Sequence, residues 1–492
     1  MTRAVRAGAA LLLVGCAARA AAPRVAPALG RLSLDLDSTF AAPAFARAEW
    51  GVVVESLDNG DVLYSRNAEK LFMPASNLKL LTSAVALTRL GAGFQFATTV
   101  LAVGERRADT LDGDLVVVGR GDPSLSLHAT GGADVLAALR PWADSLRAHG
   151  IAVITGHVVG DASYFPDPVL GQGWMWDDLA ESYSAPIGAL QFNEGFALVT
   201  VTPGARAGDP AAVRLEPADA PLRVSSTVTT APADSAIDAV DETRVFYTDS
   251  VPLRGRLSVG HAPLNFEVAV RDPTLYFERA LGQALGDAGV VVLGTLPRGT
   301  APLLFAPDTL FTWRSPPLDS IVTLLLKPSQ NQIAEALLRA LGSLKGQAGV
   351  DSGRAVVQQT LAGWGVPDDA YVLADGSGLS RYDYVAPSAI ARTLVAMAHA
   401  PDFAAFYTAL PIAGVDGSIA TRMRGTAAQG NAHAKTGSIA NVRTLSGYVT
   451  TADGERLVFV LMANGFTAPS RVVYAAMDHV VERLATLRRA AR

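Results

Sequence analysis

Ser76-Asn77-Leu78-Lys79 places a hydroxyl and an amine three residues apart. On a helix both project from one face, about one turn apart. A serine hydroxyl needs a base to become a nucleophile, and lysine can be that base when desolvation and a nearby positive charge lower its pKa. Arginine cannot, because its guanidinium keeps its proton. Of the 41 basic residues only 5 are lysines, so each lysine the chain retains invites a chemical question. About 0.3 Ser-x-x-Lys matches are expected by chance, and a helix cap beside a surface lysine would explain one alone. Two other groups add weight. Lys435-Thr436-Gly437 is a triplet expected by chance about 0.03 times. Ser329-Gln330-Asn331 follows Lys327-Pro328 between two apolar segments, a turn from which a hydroxyl and an amide can point into a cleft.

Other chemistries find less support. His128, His149, His157, His261, His399, His433 and His479 include no His-Glu-x-x-His spacing, so no metal and no cofactor is expected. His433 lies two residues before Lys435 and is read as an ordinary strand residue. A Ser-His-Asp triad would lack the usual Gly-x-Ser-x-Gly elbow. Arg120-Gly121-Asp122 spells an adhesion tripeptide, but a Gly-rich turn before Pro123 accounts for it.

The elements that must carry these residues are legible in outline. Trp50 to Leu57 and Val62 to Tyr64 flank Asp58-Asn59-Gly60, which reads as a hairpin. Pro74 introduces a core helix whose apolar positions recur at helical spacing and whose end falls at Gly91. Residues 98–165 mix β-branched runs with a helix around Asp134 to His149, an α/β pattern, and 195–270 read as a small all-β unit. Helices are expected at Leu275 to Leu285, Leu318 to Leu326, Gln332 to Leu341 and Gly353 to Trp364. Thr444 to Thr450 and Arg456 to Met462 form a second hairpin, and Val472 to Leu487 an amphipathic helix.

With 492 residues, 50% hydrophobic and 18% charged, the chain is long enough for two or three domains and too apolar for disorder. A formal charge of −5 argues against nucleic acid as a partner. Arg3, Arg6, the apolar run from Ala7 and Leu13-Val14-Gly15-Cys16 read as an export signal ending at a lipidated Cys16, with cleavage nearer Ala20 to Ala22 as the other reading. Loss of residues 1–15 moves the formal charge to −7. The run is too short to span a bilayer, so the mature protein is expected in the periplasm, anchored at most through a lipid on Cys16.

In order, Ser-x-x-Lys, Ser-x-Asn and Lys-Thr-Gly resemble the signature set of serine β-lactamases and penicillin-binding proteins. Gly121-Asp122-Pro123-Ser124, Gly171 to Asp177, Ser329 to Glu335, Asp375 to Arg381 and Gly414 to Thr421 narrow the resemblance to the low-molecular-mass class C penicillin-binding proteins, the D-alanyl-D-alanine carboxypeptidase/endopeptidase family. Ser329 follows Ser76 by 253 residues, farther than in compact β-lactamases. The resemblance implies an α+β fold in which a transpeptidase-like catalytic domain (23–96 and 305–492) carries an inserted α/β domain (97–190 and 272–304), itself carrying a β-rich domain (191–271). Residues 1–22 are the signal and the start of the mature linker.

The resemblance further implies that Ser76 is acylated, Lys79 is its base, Ser329 relays a proton and Asn331 holds a substrate amide. Lys435 and Thr436 would bind the substrate carboxylate, Gly437 and Ser438 would line the strand that pairs with peptide, and amides of Ser76 and Ser438 would hold the oxyanion. Asp161, Phe165 and Arg381 look like the residues that grip a diaminopimelate side chain. Ala440 stands where some relatives carry Gln. Peptidoglycan stem peptides and β-lactams are the expected partners. A β-lactamase or other serine esterase, and a catalytically silent peptidoglycan-binding envelope protein, are the alternatives.

Overall fold

The structure, a computed structural model, describes residues 27–489 apart from 133, 236–237, 243–247 and 295–305. The signal segment with Cys16, and both sides of the expected boundary at 304/305, lie outside the described residues.

An antiparallel five-stranded sheet runs in the order His433–Ile439, Val442–Thr450, Arg456–Asn464, Glu49–Ser56, Val62–Arg66. Its central strands are buried at almost every position because both faces are covered. Val458, Val460 and Met462 face one helical layer, whereas Leu457, Phe459 and Leu461 face another that includes Leu32 and Leu36 near the start and Val480 and Leu484 near the end. Leu78–Leu90 is buried without a break from Leu78 to Leu87. A helix buried on every side must sit inside others, and this one packs against Asn331–Leu341, Val350–Gly363 and Pro387–Ala398.

A second sheet is mixed. Ala97–Arg107 and Thr110–Val118 pair antiparallel, and Val158–Asp161 and Val153–Ile154 run parallel to Thr110–Val118. The strand Asp308–Arg314 completes it along Ala97–Arg107, so the expected division at 304/305 cuts this sheet. Its backbone satisfies the open edge of the earlier strand, and Pro316-Pro317 then turns the chain into Leu318–Leu326. The helix expected at Asp134 to His149 is regular only over Arg140–Ala148. Two small sheets occupy 196–269, and their Val199, Val251 and Leu253 share one apolar cluster with Val100 and Leu115 of the mixed sheet. The β-rich segment is therefore packed onto the mixed sheet through common core.

Candidate active site

The serine helix begins under strain. Ala75 has φ 45°, a left-handed conformation costing a non-glycine residue about 1–2 kcal/mol, and Ala75–Asn77 form a 3-10 turn before Leu78. Contacts from the sheet hold it there. The Met73 amide donates to Asn464 Oδ1 at 2.9 Å, the Thr444 hydroxyl to the Pro74 carbonyl at 3.0 Å, and Asn77 Nδ2 to Ser446 Oγ at 2.6 Å. Such strain persists only where the surroundings over-determine it.

Lys79 is completely buried, and its Nζ lies 2.7 Å from Ser76 Oγ, 2.6 Å from Asn331 Oδ1 and 2.7 Å from the Ser377 carbonyl oxygen. Burial pulls its pKa down to about 7, opposed by the negative field of Asp375, Glu335 and Asp383. Two of its three partners can only accept. When Lys79 loses a proton, its two remaining hydrogens stay with Asn331 and Ser377, and the lone pair is left facing the Ser76 hydroxyl. Asn331 is oriented by its other end, where Nδ2 donates to the Tyr183 carbonyl at 2.7 Å.

Ser329 also lies in left-handed space, with φ 73°, and its Oγ accepts from Lys435 Nζ at 2.7 Å. Lys435 is fully buried on the outermost strand of the sheet. Burial, reinforced by the charge of Lys79, lowers its pKa well below the ordinary lysine value. Among the described residues no carboxylate forms an ion pair with it. Its neighbour Thr436 shares a 2.7 Å hydroxyl contact with Ser418. The strand's outer side is bridged only at its start, by Ile412 to His433; beyond that the edge is open in the described residues and can take an extended peptide.

Of the other lysines, Lys327 is bound to Asp416 and the Leu410 carbonyl, Lys70 lies near Glu49 and Lys345 donates to Gln359. They are structural or superficial. His433 stacks on Tyr407 at 3.9 Å, and no histidine lines the cleft. Among the described residues there is no cluster of His, Cys, Asp and Glu able to hold a metal.

Ser76, Ser329, Asn331 and Ser438 line one cleft of about 480 Å³. Arg381 reaches it, donating to the Ala440 carbonyl at 3.2 Å. Asp161 and Phe165 do not. Asp161 ends a strand and accepts from the Ser163 amide at 2.9 Å, and Phe165 is buried against Ala189, Ala336 and Ala348 with its ring over Gly121. The acids in the cleft are instead Asp177 and Asp178, next to Tyr183. Asp178 accepts from the Tyr183 hydroxyl at 2.8 Å. Asp177 closes the Gly171 to Asp177 block, which was the available signal. That loop is docked on the other block, since Trp174 Nε1 donates to Asp375 Oδ2 at 3.0 Å and the Arg381 amide to the Gly173 carbonyl at 3.2 Å.

Solved structures share this arrangement of chain. Penicillin binding protein 4 from Haemophilus influenzae superposes with a TM-score of 0.75 at 26% identity, over 92% of this chain and 99% of that one. The same protein complexed with a β-lactam gives 0.72. In sequence, a D-alanyl-D-alanine carboxypeptidase of an Actinomadura species is 35% identical over 484 residues, covering 94% of this chain and 87% of its own length. The Haemophilus influenzae D-alanyl-D-alanine carboxypeptidase DacB is 28% identical over 85% of each. A family model matches from residue 32 to residue 487, through both halves of the cleft and all that separates them. The chain belongs to the D-Ala-D-Ala carboxypeptidase 3 (S13) family.

Proposed function

We propose that this D-Ala-D-Ala carboxypeptidase acts on peptidoglycan stem peptides through an acyl-enzyme on Ser76, and that a cross-link ending in the same D-centred amide is cleaved by the same steps. Neutral Lys79 takes the Ser76 proton as Oγ attacks the penultimate D-Ala carbonyl. The oxyanion gathers charge between the backbone amides of Ser76 and Ser438, donors of a kind worth about 3 kcal/mol each. Collapse breaks the C–N bond, and the leaving amine takes the proton that Lys79 gained, directly or relayed through Ser329, so that Lys79 is neutral again. Water then attacks the ester, its proton passing to Lys79 and the Ser76 hydroxyl being restored. The substrate's terminal carboxylate meets Thr436 and supplies the counter-charge for Lys435. Asn331 holds the substrate amide. A β-lactam enters by the same attack, with ring opening in place of amine loss.

The observation that carries this reading is the 2.7 Å approach of Lys79 Nζ to Ser76 Oγ with both other partners of the amine restricted to accepting. Incubation with a penicillin, intact mass and peptide mapping test it. One covalent equivalent on the Ser76 peptide, absent in Ser76→Ala, is expected; an adduct on any other serine would overturn it.

Placement in the periplasm with a lipid on Cys16 belongs to the same proposal, resting on the Arg3 to Cys16 pattern. Among the described residues no helix is long and apolar enough to cross a membrane. Cys16→Ser should release the protein from the membrane fraction.

A further inference from the structure

Gln330 separates the two polar residues of its turn, and its side chain points away from the cleft into a polar contact of its own. Gln330 Nε2 donates to Glu194 Oε2, while its Oε1 accepts from the Gln332 amide at 3.1 Å, capping Asn331–Leu341. The amide is thus used at both ends and cannot be turned over without loss. Glu194 is 5% exposed, and both its oxygens lie 3.0 Å from His128 Nδ1, which donates to the carboxylate.

The backbone beneath Glu194 is itself held in an uncommon shape. Asn193, Glu194 and Gly195 have φ of 45°, 53° and 79°, left-handed three times in succession. Asn193 fastens them: its Oδ1 accepts from the Leu127 amide at 3.0 Å, its amide donates to the Leu125 carbonyl at 2.8 Å, and its Nδ2 donates to the Phe196 carbonyl at 2.8 Å. A strained turn over 130 residues away along the chain therefore presents one buried carboxylate to the side chain between Ser329 and Asn331.

We propose that Glu194, oriented by His128, is a positioning residue for acyl transfer: through Gln330 it fixes the left-handed Ser329 against Lys435 and Asn331 against Lys79. It touches no reacting atom. This rests on the acyl-transfer reading above and extends the working site into the inserted segment. A turn free to relax would move Ser329 Oγ and Asn331 Oδ1 together, loosening the contacts of both lysines.

The test exchanges the two functional groups. Gln330→Glu sets two carboxylates face to face, and the double variant Glu194→Gln with Gln330→Glu restores a carboxylate–amide contact in the opposite sense. Penicillin acylation of Ser76 is followed by mass, with thermal melting as the control for folding. Acylation of the unaltered protein at Ser76 first secures the underlying reading; its absence would sink that reading instead. Gln330→Glu is expected to slow acylation roughly 10- to 100-fold, as for a displaced catalytic group, with penicillin affinity changed less than the rate. The double variant should recover to within about 3-fold of the parent. Unchanged acylation in Gln330→Glu, or a folded double variant as slow as the single one, would overturn the proposal. Should Gln330→Glu fail to fold, Glu194→Gln alone decides: a folded protein acylating at the parental rate overturns it, and a slowed one supports it.

Discussion

Gly437 lies so close to Ser76 that a β-carbon on it would stand 3.0 Å from the Ser76 amide nitrogen and 2.9 Å from the Pro74 carbonyl oxygen, while running into the Thr444 hydroxyl. The glycine of Lys-Thr-Gly is what lets the edge strand approach the start of the serine helix. Gly437→Ala should therefore push the strand away from Ser76 while leaving the apolar layers intact. A displacement near 1 Å costs about 100-fold in rate. Penicillin acylation should fall by about that factor with a melting temperature close to the parent's, and an unchanged rate would mean the two elements can part without consequence.

Lys79, with its pKa near 7, makes a prediction about pH. The amine is a base only when neutral, so the acylation rate should climb as pH rises through about 7 and level off above it. Lys435 acts in the opposite sense, because it attracts a carboxylate only while charged and burial lowers its pKa. Loss of that charge as pH rises should therefore put a falling limb in the second-order rate constant, which reports the free enzyme, and the limb should weaken at saturating substrate, whose carboxylate stabilises the ammonium. Stopped-flow acylation across pH 5–10 would show both limbs; a flat profile would remove Lys79 from the role of base.

Lys79→Arg keeps the charge and abolishes the base. The acylation rate should drop by several orders of magnitude with the fold retained, whereas Lys435→Arg, which still attracts a carboxylate, should lose much less. Equal, slight losses would contradict both assignments.

Side-chain selectivity separates Asp177 from Asp161. Asp177 lines the cleft, so it can meet the ammonium of a diaminopimelate side chain. Asp161 is occupied with the Ser163 amide. Asp177→Asn should lower activity on a diaminopimelate-containing muropeptide about 10-fold, or 1.4 kcal/mol, and leave penicillin acylation nearly unchanged. Asp161→Asn should change neither. Loss on both substrates from Asp177→Asn would make that residue structural.

What could be read from the sequence followed how local each signal was. Ser76 and Lys79 are one helical turn apart and the Lys435 strand carries its own triplet, so their chemistry needed no knowledge of the fold. The boundary expected at 304/305 leaves Asp308–Arg314 outside the insertion because its partner, Ala97–Arg107, is some 200 residues earlier, and strand pairing at that distance leaves no local trace. The expectation that Asp161 and Phe165 line the pocket rests only on their position along a long insertion. The burial of Phe165 under Gly121 and the docking of Trp174 on Asp375 depend on how two remote loops meet. The link from Gln330 to Glu194 was equally silent, since a glutamine inside Ser-x-Asn has no distinguishing spacing.

Glu335 joins stability to catalysis. Its Oε1 accepts from the Gly376 and Ser377 amides at 2.9 and 3.0 Å, and its Oε2 from Arg339 Nη1 at 2.9 Å. Burial and the nearby Asp375 raise its pKa, yet every one of these partners is a donor, which favours the ionised form. The loop it holds presents the Ser377 carbonyl to Lys79. Glu335→Gln keeps one accepting oxygen and turns an amine toward donors, and it leaves the buried Arg339 guanidinium short of its counter-charge. Breaking a buried ion pair in this way costs about 3 kcal/mol, so the melting temperature should fall clearly. The share of the negative field on Lys79 that Glu335 supplies would also be gone, with Asp375 and Asp383 remaining. The amine would then lose its proton at lower pH, and the rising limb of the acylation profile should move to the acid side. A fall in melting temperature with an unmoved limb would show that its carboxyl brings no charge to bear on Lys79 and only anchors the loop; a limb moving to higher pH would overturn the assigned field.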